Sequence, residues 1–127
     1  FDAYLADTQR DLFVSVDGDT TTGYAMVVGG EPTDPDVQAA LTLRPTAELS
    51  KIYVLPEHHG AGTSRLLMDA SVEAARARGA AAVWLGVNQE NERAQKFYAK
   101  SGFSRVGTKR FLVGDNYEHD YVFEQAL

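Results

Sequence analysis

Apolar residues recur along the chain with two different periods, and each period predicts one kind of element. Every second residue from 12 to 16 is apolar, which is typical of a strand with one buried face. The turn-forming residues 17–19 follow, and residues 24–28 then form a second β-forming run that ends at a pair of glycines. This pattern predicts a β-hairpin, preceded in residues 1–8 by the tail of a helix.

Strands and helices alternate in the rest of the pattern. Gly79 and Gly102 stand where C-cap glycines end helices, and Pro56 stops a run rich in β-forming residues. Residues 31–46 contain three prolines and predict an irregular loop. The predicted elements are, in order, a strand at about 47–55, a helix at about 61–78, a buried strand at 81–87, a helix at about 90–101, and strands at 103–112 and 117–125 around a turn at 114–116.

Together these elements predict a single α+β domain over residues 1–127. Its composition, 44% hydrophobic and 24% charged residues, is normal for a soluble globular protein, and no apolar run is long enough to span a bilayer. The chain has no cysteine, which excludes disulfides and thiolate chemistry, and we expect a cytoplasmic protein that binds no membrane. The net charge of −6 argues against nucleic acid as a partner, because phosphate backbones attract basic surfaces.

Residues 58–64, HHGAGTS, connect the third predicted strand to the following helix, and several chemistries compete for them. A Walker-type phosphate loop requires a lysine after its last glycine, and the residues after Gly62 include none. A dinucleotide fingerprint requires a third glycine where Arg65 stands, so a dinucleotide-binding oxidoreductase is kept only as an alternative. The adjacent His58 and His59 diverge and complete no ligand set, so we predict no metal site.

Glycines at a strand-to-helix junction also form an anion site that needs no specialised side chains. They let the backbone approach a diphosphate, and the N–H groups of the first helical turn have no partner within the helix. The helix dipole adds to this attraction. Because many such junctions only shape a helix cap, the junction by itself leaves both interpretations open.

Two longer blocks surround this junction. Residues 52–67, IYVLPEHHGAGTSRLL, and residues 83–103, VWLGVNQENERAQKFYAKSGF, resemble the acetyl-CoA-binding half of the GNAT N-acetyltransferase superfamily. The family signature of Arg or Gln, then Gly, then Gly or Ala falls on His59, Gly62 and Ser64, and only the central glycine matches. The second block matches the family pattern N..A...Y...GF without a gap.

The resemblance covers about residues 11–125 and implies the GNAT acyl-CoA N-acyltransferase fold, a mixed, mostly antiparallel sheet flanked by helices. It implies an enzyme that moves the acetyl group of acetyl-CoA directly to a primary amine of a small molecule or a peptide. The bacterial polyamine and small-amine acetyltransferases look most similar, and a homodimer is a further expectation. We expect the family's first strand and helix, with part of the acceptor pocket, to lie outside this chain.

The resemblance also implies catalytic roles for two side chains. Tyr98 matches the tyrosine whose hydroxyl protonates the departing coenzyme thiolate, although it also stands in an i, i+3, i+4, i+7 stripe that is typical of core residues. Glu48, on the strand before the glycine junction, is the candidate general base, with an exposed strand residue as the alternative. Another family position for the base falls on Gly86, which has no side chain.

The same resemblance implies a coenzyme site. Asn91 would cap its helix and hold the pantetheine arm, and the strand before the junction would offer main-chain groups to the pantetheine and, near Val54, to the thioester oxygen. The departures at His59 and Ser64 keep a further alternative, a coenzyme-binding sensor module that has lost catalysis. The residues implied for acetyl-CoA are Ile52, Tyr53, Val54, His59, Gly60, Ala61, Gly62, Thr63, Ser64, Arg65 and Asn91.

Overall fold

The computed structural model describes residues 10–56 and 62–127, which form six strands and three helices. No helix within these two ranges is both long enough and apolar enough to cross a lipid bilayer. The elements are β1 (Arg10–Asp17), β2 (Thr20–Gly29), α1 (Pro35–Ala40), β3 (Thr46–Val54), α2 (Thr63–Ala77), β4 (Ala82–Asn88), α3 (Glu92–Lys100), β5 (Ser104–Val113) and β6 (Asn116–Ala126).

The six strands form one sheet in the order β1-β2-β3-β4-β6-β5. Strands β3 and β4, which α2 connects, run parallel, and the other neighbouring pairs in this sheet are antiparallel. A parallel pair needs a long crossover that returns the chain to the same end of the sheet, and α2 supplies it. The predicted mixed, mostly antiparallel sheet with a central strand–helix–strand unit is confirmed.

Most predicted elements are present, with ends that differ by one to a few residues. Gly79 and Gly102 follow α2 and α3 with φ angles of 82° and 101°, the left-handed conformation that glycine adopts without steric cost. Both were predicted as helix ends from sequence. The helix tail predicted in residues 1–8 lies outside the described residues.

One prediction is wrong, because residues 31–46 contain the short helix α1. Pro35 stands in its first turn, where a missing N–H costs little, and the Asp34 side chain accepts a hydrogen bond from Asp36 N at 2.8 Å. Val37 is fully buried and packs against the sheet. A proline that suggested a loop therefore begins a helix instead.

The sheet has two unequal faces. The first face is covered by α2 and α3 and holds the larger core, which includes the fully buried Leu85. The second face is covered by α1, and its small cluster contains Val37, Leu41, Trp84 and Val122. Successive strand residues point to opposite faces, so the neighbours Trp84 and Leu85 belong to different cores.

Candidate active site

The parallel strands β3 and β4 pair only near their first residues. Their register pairs are Thr46–Ala82, Ala47–Val83 and Glu48–Trp84. Beyond them β3 stays paired with β2 up to Val54, whereas β4 stays paired with β6 up to Asn88. The sheet therefore opens between β3 and β4, and we call this opening the wedge; its closed end is the Glu48–Trp84 pair.

A cleft of about 600 Å³ lies between the end of β3, the first turn of α2, and α3. These three segments are distant in sequence, and each contains residues predicted for the coenzyme. Thr63 is buried at the start of α2, while His59, Gly60 and Ala61 lie outside the described residues. The predicted site residues that line the cleft are Ile52, Tyr53, Val54, Gly62, Ser64, Arg65, Asn91 and Tyr98.

Gly62 is the N-cap of α2 and has a left-handed φ of 84°. A Cβ added there would meet no atom within 4 Å, so the position requires glycine for its backbone conformation and not for space. No side chain of the described residues caps this helix end. The amides of a first helical turn have no partner within the helix, and Gly62, Ser64 and Arg65 of this turn line the cleft, which is the arrangement of an anion site.

Arg65 adds positive charge at the same end of the cleft. Its Nε lies 3.3 Å from Asp69 Oδ1, and the two side chains are 65% and 61% exposed. An ion pair this exposed contributes little stability, so a bound anion could take its place at small cost. Arg93, on α3, also lines the cleft.

Asn91 caps α3, as predicted from its residue type. Its Oδ1 accepts a hydrogen bond from Ala94 N at 3.1 Å, which satisfies one of the free amides at the helix start. The residue is exposed and lines the cleft. The amide nitrogen of its side chain can therefore donate to a ligand while Oδ1 holds the cap.

Tyr98 packs its ring like a core residue. Ring centroids lie at 5.6 Å from Phe97, 6.0 Å from Phe103 and 6.4 Å from Phe123. The hydroxyl has no hydrogen-bond partner among the described residues. It is also not among the fully buried polar atoms that lack a partner, so it is accessible, and Tyr98 lines the cleft. Burial raises the pKa of the Tyr98 hydroxyl above its usual value, and the group therefore carries its proton at neutral pH.

Glu48 lies outside the lining of this cleft, at the closed end of the wedge. It is half-buried, and its register neighbours are Val28 on β2 and Trp84 on β4, which assigns it to the second face of the sheet. Burial raises the pKa of the Glu48 carboxyl, and the positive charges of Lys109 and Arg10 partly oppose that rise. A carboxylate of raised pKa is a stronger proton acceptor than an exposed one.

The sequence-based site missed two apolar lining residues, Ala94 and Phe97. Both belong to the helical stripe that contains Tyr98, and such a stripe by itself predicts core residues. One turn of α3 thus serves the core and the cleft together, because Ala94, Phe97 and Tyr98 are each only half-buried.

A second cavity, of about 680 Å³, lies at the opposite end of β3 and contains no predicted site residue. Its arginines are engaged: Arg44 Nε donates to Glu31 Oε1 at 2.7 Å, and Arg78 Nε donates to Asp11 Oδ2 at 2.7 Å. Although this cavity is the larger, its lining among the described residues includes no helix N-terminus and no tyrosine. The cleft beside the wedge is the better candidate for the active site.

Metal binding was considered for the paired histidines, which lie outside the described residues. Within residues 10–56 and 62–127, no group of three or more His, Cys, Asp or Glu side chains is arranged to hold a metal ion. The absence of a metal from the whole chain stays a prediction.

A mixed sheet that opens between its parallel strands, beside a helix whose start no side chain of the described residues caps, is the architecture of an α+β domain suited to an anionic ligand. Comparison with known proteins identifies the family. Residues 1–103 match the profile of the acetyltransferase (GNAT) family, and the chain belongs to this family.

Individual relatives agree with this assignment. The chain is 41% identical over 127 residues to an uncharacterized N-acetyltransferase of Mycobacterium tuberculosis, covering 100% of this chain and 74% of the relative. It is 35% identical over 102 residues to streptothricin acetyltransferase of Streptomyces lavendulae, covering 80% and 48%. A crystal structure of nourseothricin acetyltransferase superposes with a TM-score of 0.75 at 26% identity, covering 94% of this chain and 66% of that one.

These findings confirm the predicted fold and the predicted enzyme class, an acetyl-CoA-dependent acyltransferase. They speak against the alternative of a dinucleotide-binding oxidoreductase. The chain spans about two thirds of the solved structure and about half of the streptothricin enzyme, so its acceptor and the roles of its residues are matters for proposal.

Proposed function

We propose that this chain, as a single domain, transfers the acetyl group of acetyl-CoA directly to the primary amine of a small molecule. The observation that carries the proposal is the wedge between β3 and β4. A cleft with Tyr98 and Asn91 lies on one side of it, and Glu48 lies at its closed end on the other face. The two substrates can therefore approach from opposite faces of the sheet and meet in the opening.

The diphosphate of the coenzyme would bind at the start of α2. Free amides from Gly62 to Arg65 and the Arg65 guanidinium offer it donors and positive charge, and His59, Gly60 and Ala61 are proposed to complete this loop. The pantetheine arm would follow residues 52–54 of β3 and the Asn91 amide towards the wedge. Arrival of the thioester there would bring its sulfur near the Tyr98 hydroxyl.

The reaction needs a neutral amine and a protonated leaving group. Glu48 would take a proton from the substrate ammonium, and the amine lone pair would then form a bond to the thioester carbon. As the carbon–sulfur bond breaks, its electron pair stays on sulfur, and Tyr98 donates a proton to give the free thiol. The nitrogen of the product still carries one proton more than a neutral amide, and the deprotonated tyrosine takes up this proton.

Burial suits both groups to these tasks. It raises the pKa of Tyr98, which keeps the donor protonated, and it raises the pKa of Glu48, which strengthens the acceptor. Neither step requires a covalent intermediate on the enzyme, in keeping with a chain that has no cysteine.

A small-molecule amine is the acceptor that the relatives favour. Two of them are named for streptothricin and nourseothricin acetylation, and one of these is 35% identical over most of this chain. Polyamines belong to this class of small amines, and an exposed peptide amine is the other predicted acceptor. A homodimer and a cytoplasmic location remain predictions.

The test is an acceptor screen that measures free thiol released from acetyl-CoA. The panel contains streptothricin-type antibiotics, polyamines and N-terminal peptides, and Tyr98→Phe serves as the matched variant. Thiol release that depends on a small amine and falls in Tyr98→Phe supports the proposal. Saturable acetyl-CoA binding with no thiol release over the whole panel would instead favour the sensor alternative.

A further inference from the structure

Gly86 leaves a gap on the second face of the sheet, and the side chain of Lys109 occupies it. A Cβ added at Gly86 would lie 3.3 Å from Lys109 Cε and 3.6 Å from Asp120 Oδ2. Lys109 belongs to the edge strand β5, and its register partner is Asp120 on β6, which in turn pairs with Asn88 on β4. The lysine chain therefore crosses β6 and reaches β4.

The Lys109 side chain lies on the same face of the sheet as Glu48. Gly86 and Trp84 are two residues apart on β4 and so point to the same face, and Trp84 is the register partner of Glu48. The half-buried Lys109 also has its Nζ 5.9 Å from the Phe111 ring centroid, a distance compatible with a cation–π contact. Its charge acts on Glu48, as does that of Arg10, and both lower the pKa of the Glu48 carboxyl.

Other charged groups lie near Glu48, and Lys51, three residues further along β3, is exposed. Arg10 on β1 reaches Glu48 across the Val28 position of β2. On β6, Glu124 is engaged by Thr42 Oγ1 at 2.5 Å and by two backbone amides, and Asp120 stands opposite Lys109.

The elements nearest Glu48 add little further charge. On α1, Asp36 accepts a hydrogen bond from the backbone of Arg110 at 3.0 Å. Facing residues of β2 and β4 next to Glu48, namely Val28, Trp84 and Gly86, carry no charge. Lys109 and Arg10 are thus the cations that act on the Glu48 carboxylate.

We propose that Lys109 is a positioning residue for Glu48, and that Gly86 is the opening that the lysine chain occupies on the face that Glu48 shares. The ammonium group holds Glu48 in the charged form that can accept the proton of the substrate amine. This inference rests on the proposed role of Glu48 as the general base. It also gives Gly86 a steric function in place of the catalytic one that its family position would suggest.

Two opposing effects on the Glu48 pKa, burial and a nearby positive charge, explain why a residue such as Lys109 is needed. Burial alone raises the pKa of the Glu48 carboxyl, and a base that is already protonated at the working pH cannot act. A nearby cation restores the charged form while burial preserves part of the added basicity.

The test uses Lys109→Met, which keeps the length of the chain and removes the charge. The Glu48 carboxyl is titrated by carbon-13 NMR and assigned by its loss in Glu48→Gln. We expect its pKa to rise in Lys109→Met by roughly half to one pH unit. The acidic limb of the kcat/KM profile should move upwards by the same amount, and Lys109→Arg should restore both.

Gly86→Ala provides a second variant that leaves every charge in place. The added methyl group would press on Lys109 Cε, which must give by a few tenths of an ångström, so the Glu48 pKa should rise in the same direction by a smaller amount. Lys100→Met, on the exposed end of α3, is the matched control and should change neither readout.

The outcomes separate this inference from the proposed function. An unchanged Glu48 titration in folded Lys109→Met and Gly86→Ala overturns the role of Lys109, whatever the activity. A raised Glu48 pKa in both variants, in a protein that transfers no acetyl group, supports the electrostatic coupling and refutes the proposed function instead. Circular dichroism of each variant establishes that it is folded.

Discussion

The two faces of the sheet place their ionisable groups in different surroundings. On the first face, Tyr98 of α3 packs among phenylalanines, and burial is the cause of its raised pKa. On the second face, Glu48 is also desolvated, but Lys109 and Arg10 oppose the effect. The pKa of both groups is therefore raised, although one group is proposed to donate a proton and the other to accept one.

In the proposed mechanism, the same physical cause, burial, serves an acid on one face and a base on the other. A phenol needs only to keep its proton until the thiolate departs, so a purely apolar environment suits it. A carboxylate must be charged before the reaction and protonated during it, so its environment has to combine burial with compensating charge. The wedge brings these two environments to one opening in the sheet.

Replacing the base should have the largest effect. We expect Glu48→Gln to lower kcat/KM by about 10²- to 10⁴-fold at neutral pH, because the amine then has no positioned proton acceptor. The acidic limb of the pH–rate profile should disappear with it. Glu118→Gln, at an exposed position on β6, is the control. Retention of the same limb in Glu48→Gln would remove Glu48 from the mechanism.

Replacing the acid should have the next largest effect. Tyr98→Phe keeps the ring packed among the phenylalanines and removes only the hydroxyl, so we expect kcat to fall by roughly 10- to 1,000-fold with an unchanged melting temperature. The control is Tyr117→Phe on β6, where the residue is 58% exposed. A turnover number equal to that of the wild type would show that Tyr98 is a core residue alone.

Asn91→Ala distinguishes helix capping from coenzyme binding on the first face. Loss of the cap should cost about 1 kcal/mol of folding free energy, and loss of the pantetheine contact should raise KM for acetyl-CoA roughly fivefold. Asn88→Ala is the matched control, because Asn88 Oδ1 accepts from Glu90 N at 2.8 Å but does not line the cleft. Equal KM values in the two variants would leave Asn91 with a capping role only.

The smallest expected effect is on stability. A carboxyl whose pKa is higher in the folded than in the unfolded chain favours folding when protonated, below its unfolded value near 4.5. That contribution is lost as the pH rises through the raised pKa. Thermal unfolding of Glu48→Gln and wild type should therefore show the variant gaining stability relative to wild type as the pH rises above about 4.5. A difference in melting temperature that is independent of pH contradicts this sign.

Much of the coenzyme side of the site was predictable from local sequence. The junction at Gly62 and the helix that starts at Asn91 are short-range patterns of glycine, capping residue and apolar stripe, and such patterns act within one turn of backbone. The resemblance supplied the role of Tyr98 in the same block. The structure then brought eight of the predicted residues into one cleft.

The second face was not predictable in the same way. Helix α1 depends on the burial of Val37 under a strand that comes much later in the chain, and local prolines masked it. The position of Glu48 follows from its pairing with Trp84, and the reach of Lys109 follows from its register through β6 to Gly86.

The sequence alone determined the order of the strands and of the two longer helices, the hairpins, the C-terminal ends of those helices and the family. These follow from backbone preferences and periodicities that neighbouring residues determine together. Only the tertiary structure decided where β3 and β4 separate, which face carries each ionisable group, and which charges act on Glu48. Strand register joins residues that are far apart in the chain, and a shift of one residue would exchange the two faces.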